Sequence, residues 1–284
     1  MQSVKRIVVG LDVFAKSNRV LKRAILIAAR AKAELFVIHV VQVPWLSLPS
    51  YFGSENIEVD TKGIIKKINK QVTKLSDGIE VNHTVFVKEG NTADIIEHEA
   101  KVLKADMIIM GVNTNGKSNF IGSTVEKVAH HSHIPVLIVK NPVKGIYKKI
   151  IAPTDFLEQS KSSIVFAKNI FPKAKIKPVH SLEEVFIDGP YLEVGYDFDA
   201  YNKAAKKYAK DAMKDLIEEL SIQRGRILSG AVDNKKAIIS YINSGDYDLT
   251  LLGSQGTVGV NAFLGSVALY ILRETPTDVL VYEP

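Results

Sequence analysis

Two hydrophobic patterns alternate along the chain. Short, almost wholly apolar runs such as "RIVVGLD" (6–12), "DMIIMG" (106–111) and "PVLIVK" (135–140) are separated by longer stretches whose apolar residues recur every three or four positions. The first pattern fits a strand buried on both faces, the second a helix with one buried side. In the first half, strands are predicted over 6–12, 33–42, 82–90, 106–111 and 135–140. Leu21, Ala24, Ile25 and Ala28 mark the first helix, and 61–75, 93–104 and 123–131 read as three more, with Asn91 or Thr92 capping the third. In the second half, residues 197–220 predict a long helix with Ala205, Tyr208, Ala212, Leu216 and Leu220 along one face. Strands that alternate with helices need crossover connections, so the class is α/β, with a mostly parallel sheet covered on both faces.

The pattern occurs twice. "KRIVVGLDVFAKS" (5–17) aligns without a gap on "KKIIAPTDFLEQS" (148–160), placing Lys5, Ile7, Asp12 and Ser17 on Lys148, Ile150, Asp155 and Ser160. His39 then falls on His180, Asp106 on Asp248, Gly111 on Gly253, and "GSTVEKV" (122–128) on "GSVALYI" (265–271). "PVLIV" (135–139) falls on "DVLVY" (278–282). A period of about half the chain is too long for a solenoid and indicates one duplicated domain. The two copies are read as residues 1–142 and 146–284.

In open α/β sheets ligands bind beyond the carboxyl ends of the strands, where the strand order reverses. Those ends carry Leu11, Asp12, His39, Val40, Gly90 and Gly111 in the first half. In the second half they carry Pro153, Thr154, Asp155, His180, Ser181, Gly230 and Gly253. The last of these opens "GSQGTVGVNAFLGS" (253–266), which leads into a helix beginning near Ser266 and Val267. Glycine lets backbone come close to an anion or adopt positive φ, and a helix N-terminus offers unpaired N–H groups and a favourable dipole. The loop lacks the lysine of a Walker A motif and is not the Rossmann fingerprint. On chemistry alone it suits either a phosphate or a plain strand-to-helix turn.

The order "KIIAPTDF", "PVHS", "DLTLLGSQG…LGS", "DVLVY" resembles the universal stress protein family, and the duplicated chain resembles its tandem members. The resemblance covers nearly the whole length. It implies two five-stranded, Rossmann-type open sheets of the adenine-nucleotide α-hydrolase-like kind, paired through their fifth strands with pseudo-two-fold symmetry. Nucleotide-binding members carry G-x2-G-x9-G-[S/T] after the fourth strand. Gly253, Gly256, Gly265 and Ser266 match it, with eight residues rather than nine between the second and third glycines. Asp155 and Ser181 match the positions beside the adenosine. The resemblance therefore implies ATP or a related adenine nucleotide, accompanied by Mg2+, in the second domain, as a sensor or switch in stress adaptation. In the first domain Asp12, Val40, Gly111, Gly122 and Ser123 correspond, but Thr114 replaces the second glycine and the loop is two residues shorter. That half is expected to have kept the fold and lost the ligand, unless Gly116 and Lys117 compensate in its loop.

Composition narrows the alternatives. There is no cysteine, hence no disulfide and no thiol nucleophile, which fits a cytoplasmic protein, and no apolar run reaches membrane-spanning length. The net charge of +6 comes from lysines scattered at helical spacing without interleaved aromatics, so they read as solvated helix faces rather than a nucleic-acid or membrane surface. His130, His131 and His133 diverge around a helix end and read as non-ligands. His39 and His180 could each serve as a general base, but the family resemblance implies structural neighbours of the pocket. No catalytic residue and no metal site is assigned. The segments 44–57 and 183–200 differ most between the halves and are the candidate surfaces for protein partners; a homodimer is a further candidate. Two rival readings remain: an adaptor that binds partners and no nucleotide, and a weak ATP hydrolase or zinc-dependent enzyme.

Overall fold

A computed structural model describes residues 4–13, 17–42, 59–112, 121–183, 198–231, 233–254 and 264–283. The chain divides into an N-terminal unit, Ser3–Ile146, and a C-terminal unit that begins at Tyr147. The N-terminal unit runs β1 (Arg6–Gly10), α1 (Asn18–Ala31), β2 (Glu34–Val41), α2 (Thr61–Ser76), β3 (His83–Glu89), α3 (Thr92–Val102), β4 (Met107–Gly111), α4 (Ser123–His131) and β5 (Val136–Val139). The C-terminal unit runs β6 (Lys149–Pro153), α5 (Glu158–Ile170), β7 (Lys175–Glu183), α6 (Phe198–Leu220), β8 (Arg226–Ala231), α7 (Asn234–Asn243), β9 (Leu249–Gly253), α8 (Ser266–Glu274) and β10 (Asp278–Tyr282).

Within the N-terminal unit the strand order is β3-β2-β1-β4-β5, and within the C-terminal unit β8-β7-β6-β9-β10. Every pairing inside each unit is parallel. The chain thus steps from β1 outward through β2 and β3, then returns to β4 on the other side of β1. The order reverses between β1 and β4, and again between β6 and β9. The central strands bury both faces, as their apolar runs require: Ile7, Val8, Val9, Ile108 and Ile109 are fully buried, as are Ile150, Ile151 and Leu249. On α1, Leu21, Ala24, Ile25 and Ala28 are all buried against this layer.

The repeated aspartates have a structural cause. Asp106 Oδ2 accepts from the backbone N–H groups of Lys5 at 2.7 Å and Arg6 at 2.9 Å. Asp248 Oδ2 accepts from Lys148 at 2.7 Å and Lys149 at 2.9 Å. The N–H groups at the start of a central parallel strand have outrun their neighbours, and one carboxylate oxygen satisfies two of them. The C-terminal unit adds a buried polar contact, in which Tyr147 donates its hydroxyl to Asp278 Oδ2 at 2.6 Å and sets its ring edge-on to Phe171.

Two sequence expectations need refinement. Asn91 caps α3, its side chain accepting from Ala93 and Asp94, and Thr92 is the first helical residue. Tyr208 does not line the buried face of α6. It is 68% exposed, whereas Ala209, Met213 and Leu216 are buried. Ala209 lies one residue, or about 100° of helical rotation, from Tyr208, so the buried stripe centres on one side of the face chosen from spacing and Tyr208 falls outside it.

Removing the carboxylate in Asp248→Ala should destabilise the chain by about 1–3 kcal/mol, with Asp248→Asn losing less because an acceptor oxygen remains. Urea unfolding of the two variants measures the difference. Tyr147→Phe strips the buried Asp278 carboxyl of a donor and should lower the urea midpoint by a shift equivalent to about 1–3 kcal/mol.

Candidate functional site

At the carboxyl ends of β1, β2 and β4 the N-terminal unit holds a cavity of about 590 Å³. Asp12, Val40, Gly111, Gly122 and Ser123 all line it. They come from four separate parts of the chain: the ends of β1, β2 and β4 and the first turn of α4. The reversal of strand order opens the space, because the helices that follow β1 and β4 pack on opposite faces of the sheet, α1 with α2 and α4 with α3. Leu11 and Val112 add apolar wall, and Thr92 and Gln42 add polar wall. Gln42 Nε2 donates to Thr92 Oγ1 at 3.1 Å, joining the end of β2 to the start of α3. Spacing alone did not select Gln42, Thr124 or Val112 as pocket residues, since only the fold brings them to the crevice.

The start of α4 supplies the polar end. Gly122 is its N-cap in an extended conformation (φ −71°, ψ 154°), with no side-chain cap. The first-turn N–H groups of Ser123, Thr124 and Val125 are left without intrahelical acceptors at a positive dipole end. Gly265 caps α8 in the same way (φ −58°, ψ 158°). Neither glycine has positive φ, so left-handed backbone is not the reason for glycine at these two positions.

The glycine that ends the fourth strand has a packing reason. A β-carbon on Gly253 would stand 3.0 Å from the backbone of Gln159 and Ser160, in the first turn of α5. On Gly111 it would collide with the side chain of Val20 in α1. In both units the helix after the first strand therefore fills the space over the end of the fourth strand, with its backbone at Gly253 and with the Val20 side chain at Gly111.

The two histidines hold the crevice floor. His39 Nδ1 stands 2.9 Å from the carbonyl oxygen of Leu11, and His180 Nδ1 stands 2.7 Å from that of Thr154. A carbonyl only accepts, so Nδ1 carries the proton and donates it, tying the end of the second strand to the end of the first. In the C-terminal unit the turn after β6 is built by its own polar residues. Thr154 Oγ1 accepts from Phe156 N at 3.0 Å and lies 2.9 Å from Ser160 Oγ. Asp155 Oδ1 accepts from Leu157 N at 3.0 Å. These bonds hold Phe156 at φ 67°, a conformation unusual for a bulky side chain, with its ring 4.5 Å from that of His180.

The other C-terminal residues singled out from the sequence occupy equivalent places. Pro153 ends β6 and Ser181 lies near the end of β7. Gly253 ends β9, and Ser266 and Val267 open α8. Gly230 lies where the register between β7 and β8 shifts: Ser181 pairs with Leu228, but Glu183 pairs with Ala231. The extra residue on β8 is absorbed beside Gly230, whose φ is 77°. Gly256, Thr114 and most of the segments 44–57 and 183–200 lie outside the described residues.

His130 and His131 lie in the last turn of α4, at the end opposite the cavity, with their rings stacked 5.2 Å apart. Among the described residues, no group of three or more His, Asp or Glu side chains is placed to hold a metal ion. No described helix is long and apolar enough to cross a membrane.

The profile of the universal stress protein family matches residues 3–140 and again 146–283. A universal stress protein of Methanocaldococcus jannaschii is 37% identical over 147 residues, which cover 49% of this chain and 84% of that protein. A universal stress protein structure from Archaeoglobus fulgidus superposes with a TM-score of 0.69 at 21% identity, covering 100% of this chain and 99% of the other. A functionally unknown protein from Pseudomonas aeruginosa superposes with a TM-score of 0.75 at 17% identity, covering 99% and 93% of the two chains. With the family profile matched twice along its length, the chain belongs to the universal stress protein family as a tandem member.

Proposed function

We propose that the chain binds an adenine nucleotide at the carboxyl ends of its strands and serves as a sensor or switch in stress adaptation. The observation that carries this reading is the N-terminal cavity. Five residues chosen from the sequence line one space of about 590 Å³, within the range of roughly 300–1,000 Å³ usual for small-ligand sites. Its lining holds both parts that a nucleotide requires. The side chains of Leu11, Val40 and Val112 are apolar and suit a base. The uncapped start of α4 at Gly122 and Ser123 offers free N–H groups and a dipole that suit phosphates. Mg2+ would accompany a bound triphosphate and offset its charge.

The C-terminal unit carries the counterpart set: Pro153, Thr154, Asp155, Ser181, Gly230, Gly253, Gly265, Ser266 and Val267, with Gly256 in its loop. The sequence favours this second site for its fuller glycine pattern, whereas the cavity favours the first, so the proposal includes both. The activity proposed is binding, in a protein of the cytoplasm.

Calorimetric titration of ATP with Mg2+ into nucleotide-stripped protein tests the reading. Two sites per chain are expected. Gly122→Asp should abolish one and Gly265→Asp the other, because each places a carboxylate where phosphates would meet the helix start. A folded chain with no saturable binding would remove the reading.

A further inference from the structure

The two crevices share their frame but not their lining. Three apolar wall positions of the N-terminal cavity, Leu11, Val40 and Val112, correspond in the duplicated frame to Thr154, Ser181 and Ser254. Each replacement introduces a hydroxyl, and all three side chains are buried, at 8%, 9% and 4% exposure. Thr154 spends its hydroxyl on the turn that positions Phe156. Ser181 Oγ and Ser254 Oγ differ from it, since both are buried with no hydrogen-bond partner among the described residues. A buried hydroxyl without a partner costs stability that valine, the residue at the matching N-terminal positions, would not.

These two hydroxyls lie at the ends of the strands on either side of β6. Ser181 lies near the end of β7, directly before the register shift around Gly230, and Ser254 follows the last residue of β9. Their N-terminal counterparts, Val40 and Val112, both face the one cavity. β-Bulges often re-aim side chains beside functional sites, and this one adjoins Ser181 only in the C-terminal unit; the β2–β3 register runs unbroken from Leu35 to Val41.

We infer that the C-terminal crevice takes its ligand through hydrogen bonds from Ser181 and Ser254, so that the two units of one chain have different ligand preferences. The C-terminal site takes a nucleoside phosphate that presents polar atoms to the ends of β7 and β9. The N-terminal site meets the same region of its ligand with valine side chains. Ser181 and Ser254 are thus specificity-determining residues, and their unpaired state in the absence of ligand is part of the selection. A site built to hydrogen-bond its ligand rejects one that leaves its polar groups unpaired.

This inference rests on the nucleotide reading, and the experiment separates the two. S181V/S254V installs the N-terminal residues in the C-terminal crevice of the full chain. ATP with Mg2+ is titrated into wild type, into Gly122→Asp, in which only the C-terminal site is read, and into S181V/S254V that also carries Gly122→Asp. Thermal unfolding is measured on the ligand-free proteins. The expected result is a loss of at least about tenfold in C-terminal ATP affinity for each hydrogen bond removed, with an unchanged or raised melting temperature. Unchanged affinity with a lowered melting temperature overturns the inference, because the hydroxyls then serve the fold. ATP binding in the N-terminal unit alone of the wild type also overturns it, while leaving the nucleotide reading in place. Absence of binding at both units overturns both.

Discussion

In each unit the helix after the first strand packs over the end of the fourth strand at a glycine, where an added β-carbon would meet atoms of that helix. At Gly253 the neighbouring atoms are the backbone of Gln159 and Ser160, and at Gly111 the side chain of Val20. This close passage seats the helix after the first strand on the sheet beside the ends of the first and fourth strands. In the N-terminal unit the cavity lies at those strand ends. The same glycine thus serves packing and leaves the backbone at the crevice bare, and the two roles do not compete.

That double service explains why the sequence was informative about the fold and ambiguous about the site. The apolar runs and the duplicated landmarks were legible because burial on both faces of a parallel strand leaves a continuous signature. The repeated Asp106 and Asp248 were visible as a pair, but their task of closing the first strand's free amides emerges only when residues a hundred positions apart meet. Gly253 read as a phosphate-loop glycine, and only the crossing of α5 reveals its packing load. Ser254 gave no signal, since a serine beside a glycine loop looks like a turn residue until its burial is known. Gly230 was selected as a strand-end residue, but its role in a register shift depends on pairing that no local pattern encodes. Tyr208 was misplaced because helical spacing fixes a stripe only to within about one residue of rotation.

The duplication has preserved different things to different degrees. The clamps are nearly identical in the two units: the aspartate on the first strand's amides and the histidine Nδ1 on the first strand's last carbonyl recur with distances that agree within about 0.2 Å. The crevice walls have diverged from valine to serine and from Leu11 to Thr154. Backbone-closing contacts admit few substitutes, because each answers a fixed orphan group. Wall residues answer whatever occupies the space, so they are free to change when the occupant does.

The aspartate clamp also bears on how the chain comes to be folded. β1 is the first element of its unit and needs partners on both sides, and the group that closes its first amides lies 101 and 100 residues later. As the chain emerges from synthesis, β1 can pair with β2 early, but its other edge stays open until β4 and Asp106 arrive. Contacts of such long separation pay their loop-closure entropy before they give anything back. Each unit therefore closes late and as a whole. The N-terminal unit holds every residue of its own clamp, so it can finish before its twin has been made.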